Sequence, residues 1–352
     1  MTRARPSLLR RAAGTLLAAL SLLLALGGTA RADDCSMTMT TVNFGAVSPI
    51  SSSDYTSTGT LGVTCNWTGL VTVIVGAVST TLIIFPNVQV CVSLNTGTNS
   101  VGTSAAPRNI GGLLNYNLYL DSGYGTVWGG ASASGAPTPF TALLSAPILT
   151  AATSLSKSFT LYGKIPAGTA LAAVPTVANA DTPYVSTFSA GAVTLSYQFY
   201  ALIVPPACPT LNPTTATTFN VQATAINNCN IAVGSLGFGS SSLLSGPVST
   251  SSSLSIQCTN NNSYQIALNG GTVSGNVASR KMKNTGTAET ISYRISPTSG
   301  GTIWGDGTGS TVMVSGVGTG AAQSVTLFGQ VPAQSTPSPG DYKDTVTATV
   351  SF

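Results

Sequence analysis

The sequence contains one unit twice, and this repeat constrains the fold more than any other feature. Cys35 lies nine residues before the pair Phe44-Gly45, and Cys229 lies nine residues before Phe238-Gly239. Later landmarks return in the same order and at similar spacing: Cys65 and Cys258, Tyr116 and Tyr293, Trp128 and Trp304, residues 161–166 and 327–332, and the closing segments 193–199 and 346–352. Two copies of this kind predict two domains with the same architecture.

Short alternating segments separated by Gly, Asn and Ser turns make up each copy. In the last one, Val346, Ala348, Val350 and Phe352 point to one side and Thr and Ser residues to the other. This alternation is typical of a strand with one face on a core. No window beyond the first 32 residues has the period of an amphipathic helix. The sequence therefore predicts an all-β protein with two immunoglobulin-like β-sandwich domains in tandem.

Composition and charge exclude several classes of function. Charged residues make up 6% of the chain and His is absent, so no Ser–His–Asp triad, Cys–His pair or His-ligated metal can form. The nine Asp and Glu are scattered, unlike a carboxylate-rich metal cage. Of 13 Lys and Arg, five lie in the first 32 residues, which leaves eight against nine acids, a net charge of −1. We therefore expect no enzyme activity, no cofactor, no metal and no nucleic-acid binding.

Residues 1–32 have the organisation of a secretory signal peptide. Basic residues end at Arg10-Arg11, an apolar run covers residues 16–26, and Ala30-Arg31-Ala32 fits a cleavage site. The alternative, an uncleaved membrane anchor, needs about 20 apolar residues, and this run is shorter. Export places the six Cys in an oxidising compartment, where disulfides are the rule.

The landmarks of the second copy resemble a known family. Besides Cys229, Phe238-Gly239 and Cys258, that copy has the following motifs: Arg280-Lys281-Met282, Trp304-Gly305, Leu327-Phe328-Gly329, and Gly340-Asp341-Tyr342-Lys343-Asp344. Together they are similar to the spore coat protein U family, which supplies subunits of archaic chaperone–usher pili. The first copy has Arg108-Asn109 near the place of Arg-x-Met and lacks the Gly-Asp-Tyr-x-Asp ending.

The resemblance implies a role and partners. Members of this family with one copy resemble pilus shaft subunits, and members with two copies resemble tip adhesins that support surface attachment and biofilm formation. The expected partners are a periplasmic pilus chaperone, an outer-membrane usher, the next pilin by donor-strand exchange, and an abiotic or host surface. The expected location is the extracellular pilus tip, reached through the periplasm.

Each copy ends one strand short of a closed sandwich, which leaves an open groove for an added strand. The segment 218–226 alternates apolar residues on one face: Phe219, Val221, Ala223 and Ala225. We expect this segment to complete the first domain within the same chain; the alternative is that it is only the first strand of the second domain. Cleavage after Ala32 leaves Asp33-Asp34 before Cys35, too little to donate to another subunit.

The repeat and the resemblance give domain boundaries and disulfides. We expect a signal peptide at 1–32, an adhesin-type domain at 33–204, a linker at 205–217, the donor segment at 218–226, and a pilin-type domain at 227–352 that lacks its last strand. The matching places of the Cys residues predict the pairs Cys35–Cys65 and Cys229–Cys258. Cys91 and Cys208 remain, one in each copy and not equivalent, and we expect a third bridge, Cys91–Cys208, from the first sheet to the linker.

The first copy is longer than the second at three places, and all three insertions are apolar. From Cys65 to Leu94 there are 29 residues, against 10 from Cys258 to Leu268. We expect the insertions to gather at one end of the first domain as a surface-binding tip. The residues concerned are Val73, Ile74, Val75, Leu82, Ile83, Ile84 and Phe85; Phe140, Leu143, Leu144, Ile148 and Leu149; and Leu171, Val174 and Val177.

Three alternatives to this tip stay open. The insertions could form a β-hairpin that fills its own sandwich. The chain could be a carbohydrate- or receptor-binding lectin of the same architecture, or a secreted coat or matrix protein.

Overall fold

The structure is a computed structural model that describes residues 33–67, 71–75, 78–82, 87–100, 108–130, 138–145, 154–200, 205–208 and 213–352. The predicted signal peptide, 1–32, lies outside these residues. Two separate hydrophobic cores lie along the chain, one in each copy of the repeat. The predicted all-β class and the two tandem sandwich domains are confirmed.

Two five-stranded sheets form the first domain. In spatial order, one sheet contains β1 (Asp34–Met39), β3 (Tyr55–Asn66), β10 (Ser154–Ile165), β8 (Leu114–Tyr119) and β7 (Arg108–Ile110). The other contains β2 (Val42–Val47), β12 (Pro213–Ala225), β11 (Thr182–Tyr200), β6 (Asn87–Leu94) and β9 (Phe140–Ser145). A separate hairpin joins β4 (Val71–Val75) to β5 (Val78–Leu82), and a one-turn helix covers Thr169–Ala172.

Alternation of side chains builds this sandwich. Leu114, Tyr116 and Leu118 of β8 are buried, and the residues between them are half-buried. Their inward faces meet Val88, Val90 and Val92 of β6 in one core. The two-residue period in the sequence thus gives two apolar faces that pack on each other.

The second domain repeats this plan with smaller sheets. One sheet contains β13 (Cys229–Val233), β14 (Val248–Cys258), β20 (Gln323–Val331) and β18 (Arg294–Ser296). Facing it are β19 (Val314–Val317), β15 (Ser263–Leu268) and β22 (Ala348–Ser351), with β17 (Thr290–Ser292), β16 (Lys281–Asn284) and β21 (Tyr342–Lys343) beside them. A second one-turn helix covers Gly271–Ser274.

Among the described residues, no helix combines the length and apolar character that a membrane span requires.

Candidate functional site

Strand β12 lies inside the first sandwich although it directly precedes the second domain. It pairs antiparallel with β11, where Phe219 faces Phe188, and parallel with β2, where Val221 faces Val42. The four alternating residues of the expected donor segment are buried: Phe219 5%, Val221 0%, Ala223 3% and Ala225 0% exposed. The strand begins at Pro213, inside the stretch that we expected to be linker.

Phe219 has the most extensive contacts of these four. Its ring stacks on Phe188 with centroids 4.6 Å apart and planes at 4°. On another side it meets Trp128, with centroids 6.4 Å apart at 19°. Burial of Phe219 and Val221 contributes about 1.5–3 kcal/mol each. Strand β12 is therefore part of the first-domain core.

The second domain has no strand at the equivalent place. Within residues 213–352, which are described without a gap, β22 pairs only with β15, and residues 234–247 form no strand. Val346 and Ala348 remain partly exposed, whereas their first-copy counterparts Val193 and Leu195 are fully buried. Phe352 at the end of this edge is 47% exposed. An apolar groove with an unpaired backbone edge therefore runs along the second domain.

Each domain contains a buried tryptophan that makes the same hydrogen bond. The indole nitrogen of Trp128 donates to the carbonyl of Val92 at 2.9 Å, and that of Trp304 donates to the carbonyl of Ile266 at 2.8 Å. These bonds place the tryptophans as cross-links between the sheets of each sandwich.

Arg108 and Arg280 occupy equivalent places as well. Both side chains are buried, at 0% and 1% exposed. The Nε atom of Arg108 donates to the Asn95 carbonyl, and that of Arg280 donates to the Asn269 carbonyl. Burial lowers the pKa of Arg108 to about 10. The first copy therefore has an arginine, Arg108, at the place of Arg280. The different spacing of the two sequences did not show this match.

Strand register shows at which end of the first domain each insertion lies. Asn66 of β3 pairs with Ser154 of β10, and Asn87 of β6 pairs with Ser145 of β9 and Tyr200 of β11. The first and second insertions leave and re-enter the sandwich at these residues. This end, which we call the distal end, lies opposite Ala225, where the chain passes to the second domain.

Residues of the first two insertions have different surroundings. Leu143 is 45% exposed, whereas Phe140 is half-buried against Phe159, with ring centroids 4.7 Å apart. Leu144 is 2% exposed, so its expected role in surface binding is wrong because the sheet covers it. Val73, Ile74, Val75 and Leu82 lie in the β4–β5 hairpin, and their side chains lie outside the described part. Ile83, Ile84, Phe85, Ile148 and Leu149 also lie outside the described residues.

The third insertion is at the opposite end, against the second domain, and the expected cluster of three loops is therefore wrong. Leu171 is 2% and Val174 1% exposed, because they pack into the first-domain core. Val177 is 64% exposed, but it lies next to Thr176, which contacts the second domain. None of these three residues lies at the distal end.

Instead, the third insertion forms hydrogen bonds with the second domain. The Thr176 hydroxyl bonds to Asn262 Oδ1 at 2.5 Å, and both side chains are fully or almost fully buried. Asn260 Nδ2 donates to the Ala173 carbonyl at 2.8 Å. Further bonds cross the boundary, among them Ser263 N to Asn179 Oδ1 at 3.1 Å and Asn228 Nδ2 to Ser48 Oγ at 3.1 Å. We call this set of bonds the interdomain seam.

Three disulfides join the six Cys. Cys35–Cys65 and Cys229–Cys258 connect directly opposed residues of neighbouring strands, β1 with β3 and β13 with β14. Cys91–Cys208 connects β6 to the segment that leads into β12. By the chain-entropy model, each of the first two loops contributes about 3 kcal/mol.

Few charges interact in the described structure. Lys164 and Asp54 form an ion pair at 3.5 Å on the surface. Backbone N–H groups of Gly125 and Thr126 bond the Asp121 carboxylate and lower its pKa. Among the described residues, no three His, Cys, Asp or Glu side chains lie close enough to hold a metal ion.

Comparison with known proteins gives a family and a number of similar structures, including the following two. The Spore Coat Protein U domain model matches residues 21–176 and 215–349. The chaperone–tip adhesion subunit complex CsuC-CsuE of archaic chaperone-usher Csu pili from Acinetobacter baumannii is 17% identical, with 91% of this chain and 100% of that chain covered and a TM-score of 0.46. The CupB6 tip adhesin from Pseudomonas aeruginosa is 11% identical, with 91% and 94% covered and a TM-score of 0.36. Likenesses this weak say nothing about function, and no curated protein matches the chain.

Proposed function

This chain belongs to the Spore Coat Protein U domain family, and from that membership we propose that it is the tip adhesin subunit of an archaic chaperone–usher pilus. In this role the first domain binds a surface and supports biofilm formation. The second domain attaches the subunit to the fibre. The role is structural and adhesive, without catalysis.

The observation that carries the proposal is the asymmetry between the two grooves. The groove of the first domain is filled by β12 of the same chain, whereas the equivalent groove of the second domain is open. A subunit with one open groove accepts one donor strand. With the expected cleavage after Ala32, two residues precede Cys35, and we propose that the subunit accepts a strand without donating one. Such a subunit fits the leading end of a fibre.

The open groove also defines the kind of partner. Its occupant is an extended segment with apolar residues at every second position, because β12 fills the equivalent groove in that way. We propose that a periplasmic pilus chaperone fills the groove before assembly, and that the next pilin replaces it at the outer-membrane usher. The finished subunit is then at the cell surface, at the tip of the pilus.

The first and second insertions leave the sandwich at the distal end of the first domain, and we propose that their apolar side chains bind the surface. Burial of about 400 Å² would give roughly 10 kcal/mol before association costs of several kcal/mol are subtracted. One contact of this kind is weak, and many pili acting together increase the overall strength of attachment.

The position in the fibre is tested by immunogold electron microscopy of piliated cells with an antibody against the first domain. We expect gold particles only at fibre ends. Labelling along the shaft would refute the assignment as a tip subunit.

The binding surface is tested by changing Ile83, Ile84 and Phe85 to Ser and measuring attachment of piliated cells to polystyrene. Val177→Ser is the matched control, because it removes an exposed apolar residue at the other end of the same domain. We expect the triple variant to lose most attachment and the control to keep it. Equal attachment of both variants contradicts the apolar tip. For the unchanged protein, mild detergent should release the cells and free sugar should not; the reverse result favours a lectin.

A further inference from the structure

The strand that borders the open groove in the second domain is interrupted, whereas its counterpart in the first domain is continuous. Strand β11 runs without a break over Thr182–Tyr200 and pairs with β12 on one side. In the second domain the same edge is divided into β21 and β22, and residues 344–347 between them belong to no strand. Backbone hydrogen bonds hold part of this stretch: Thr272 N donates to the Thr345 carbonyl and Asn269 N donates to the Thr347 carbonyl, both at 3.0 Å.

The side chain of Asp344 adds the contacts that reach furthest from this stretch. Its Oδ1 atom accepts hydrogen bonds from Thr272 N at 2.9 Å, Thr272 Oγ1 at 3.1 Å and Val273 N at 3.1 Å. Its Oδ2 atom accepts one from the Tyr293 hydroxyl at 2.7 Å. Thr272 and Val273 lie in the helix Gly271–Ser274, and Tyr293 lies between β17 and β18. One carboxylate therefore joins the groove edge to two other parts of the domain.

Two neighbouring residues accommodate the Asp344 carboxylate. Gly271 has a φ of +75°, and a Cβ atom there would lie 2.0 Å from Asp344 Oδ2. Only glycine leaves this space free. The buried Arg280 guanidinium supplies a favourable positive charge, and its interaction with Asp344 partly offsets the burial that lowers the Arg280 pKa.

The first domain has no carboxylate at the corresponding place. Counted forward from Tyr184 and Tyr342, Ser186 matches Asp344; counted back from Val193 and Val346, Gly191 matches it, and neither residue is a carboxylate. Ser186 is fully buried, and in the register of the sheet it faces Val221 of β12. The domain that contains its own added strand thus has no carboxylate where the open domain has an anchored aspartate.

From this difference we propose that Asp344 is a positioning residue that holds residues 344–347 in the conformation that receives a donor strand. This proposal rests on the proposed function, because it concerns the groove that accepts the next pilin. Asp344 takes the place of the missing strand as a support for the edge until the donor arrives. Its contribution is therefore largest when the groove is empty.

The experiment compares the full chain with and without an added strand. In the second form, residues 213–226 are repeated after Phe352 through a Gly/Ser linker as long as residues 201–212, which copies the connection between β11 and β12. Each form is made with Asp344 and with Asp344→Ser, which removes the carboxylate. Hydrogen exchange measured by mass spectrometry follows protection of β14 and β20. Asp341→Ser, an exposed aspartate three residues earlier, is the matched control.

We expect Asp344→Ser to accelerate exchange in the open form by at least about tenfold, because several bonds to a charged group are lost. In the form with the added strand we expect less than about threefold, and Asp341→Ser should change neither form. Asp344→Asn, which keeps an oxygen for the helix N–H groups, provides the same comparison if the Ser variant does not fold.

The outcomes separate the two proposals. If the added strand fails to slow exchange in the unchanged second domain, that domain does not accept a strand, and both proposals fail. If the strand does slow exchange but Asp344→Ser costs the same in both forms, or nothing in the open form, the role of Asp344 is overturned while the acceptor groove stands.

Discussion

Phe219→Ala removes the largest side chain that β12 places in the first-domain core. The ring is 5% exposed and stacks on Phe188 at 4.6 Å. Loss of its burial costs about 1.5–3 kcal/mol, and loss of its contacts with Phe188 and Trp128 adds about 0.5–1.5 kcal/mol each. The sum agrees with the range of about 3–5 kcal/mol that is typical of buried Phe→Ala changes.

Hydrogen exchange measured by mass spectrometry tests the size of this loss of stability and shows which domain it affects. A loss of about 3–5 kcal/mol corresponds to roughly 150- to 5000-fold faster exchange of the most protected amides. We expect this acceleration in β6 and β11 of the first domain, with β14 and β20 of the second unchanged. Thr218→Ala is the matched control, because Thr218 precedes Phe219 on the same strand but is exposed.

Two results would refute the reasoning. If β6 and β11 keep their protection, β12 does not stabilise the first sandwich. If β14 and β20 lose protection instead, the segment belongs to the second domain, which is the alternative that the sequence left open.

Replacing Cys91 and Cys208 by Ala removes a link between positions 117 residues apart and should lower the free energy of unfolding of the first domain by about 4–5 kcal/mol; an unchanged urea midpoint would contradict this. Bonds from backbone N–H groups, Thr126 N among them, lower the pKa of Asp121 below its ordinary value of 3.8, so the stability that this carboxylate gives its turn is present above that value and is lost as pH falls through the lowered pKa. The amide NMR signal of Thr126 should therefore move at acid pH in the unchanged protein and stay in place in Asp121→Asn. Asn262→Ala breaks a buried bond of the interdomain seam and should cost about 1–3 kcal/mol; NMR relaxation should then show the two domains tumbling more independently, and identical relaxation would contradict a rigid seam.

Much of the fold follows from the sequence, because the strand signals are local. Alternation of apolar residues in 346–352 and the repeated Cys and Trp positions predict two similar β-sandwiches, and the structure has them. The start of β12 at Pro213 was not predicted, because the Thr-rich stretch before Phe219 lacks apolar alternation. Thr has a high preference for strands, and here pairing with β11 extends the strand through it.

The insertions were harder to place, because their position depends on which ends of distant strands meet. Leu171 and Val174 are as apolar as the residues of the first insertion, and composition alone could not separate them. Register decides the matter: the third insertion follows Ile165, which pairs with Tyr55 at the end nearest the second domain. Asn260 and Asn262, which bond the third insertion across the seam, lie in a run of three Asn that predicts only a turn, since Asn is common in turns.

The course of the chain from β12 into β13 determines how the subunit resists a pulling force. β12 ends at Ala225 and β13 begins at Cys229, so a force applied to the second domain reaches the first domain along the length of β12. Hydrogen bonds to β2 and β11 are then loaded together in shear instead of opening one after another. At the other end of β12, the Cys91–Cys208 disulfide links the segment before this strand covalently to β6. In the proposed tip subunit, a pulling force would therefore act on a strand that is covalently prevented from sliding out of the first domain.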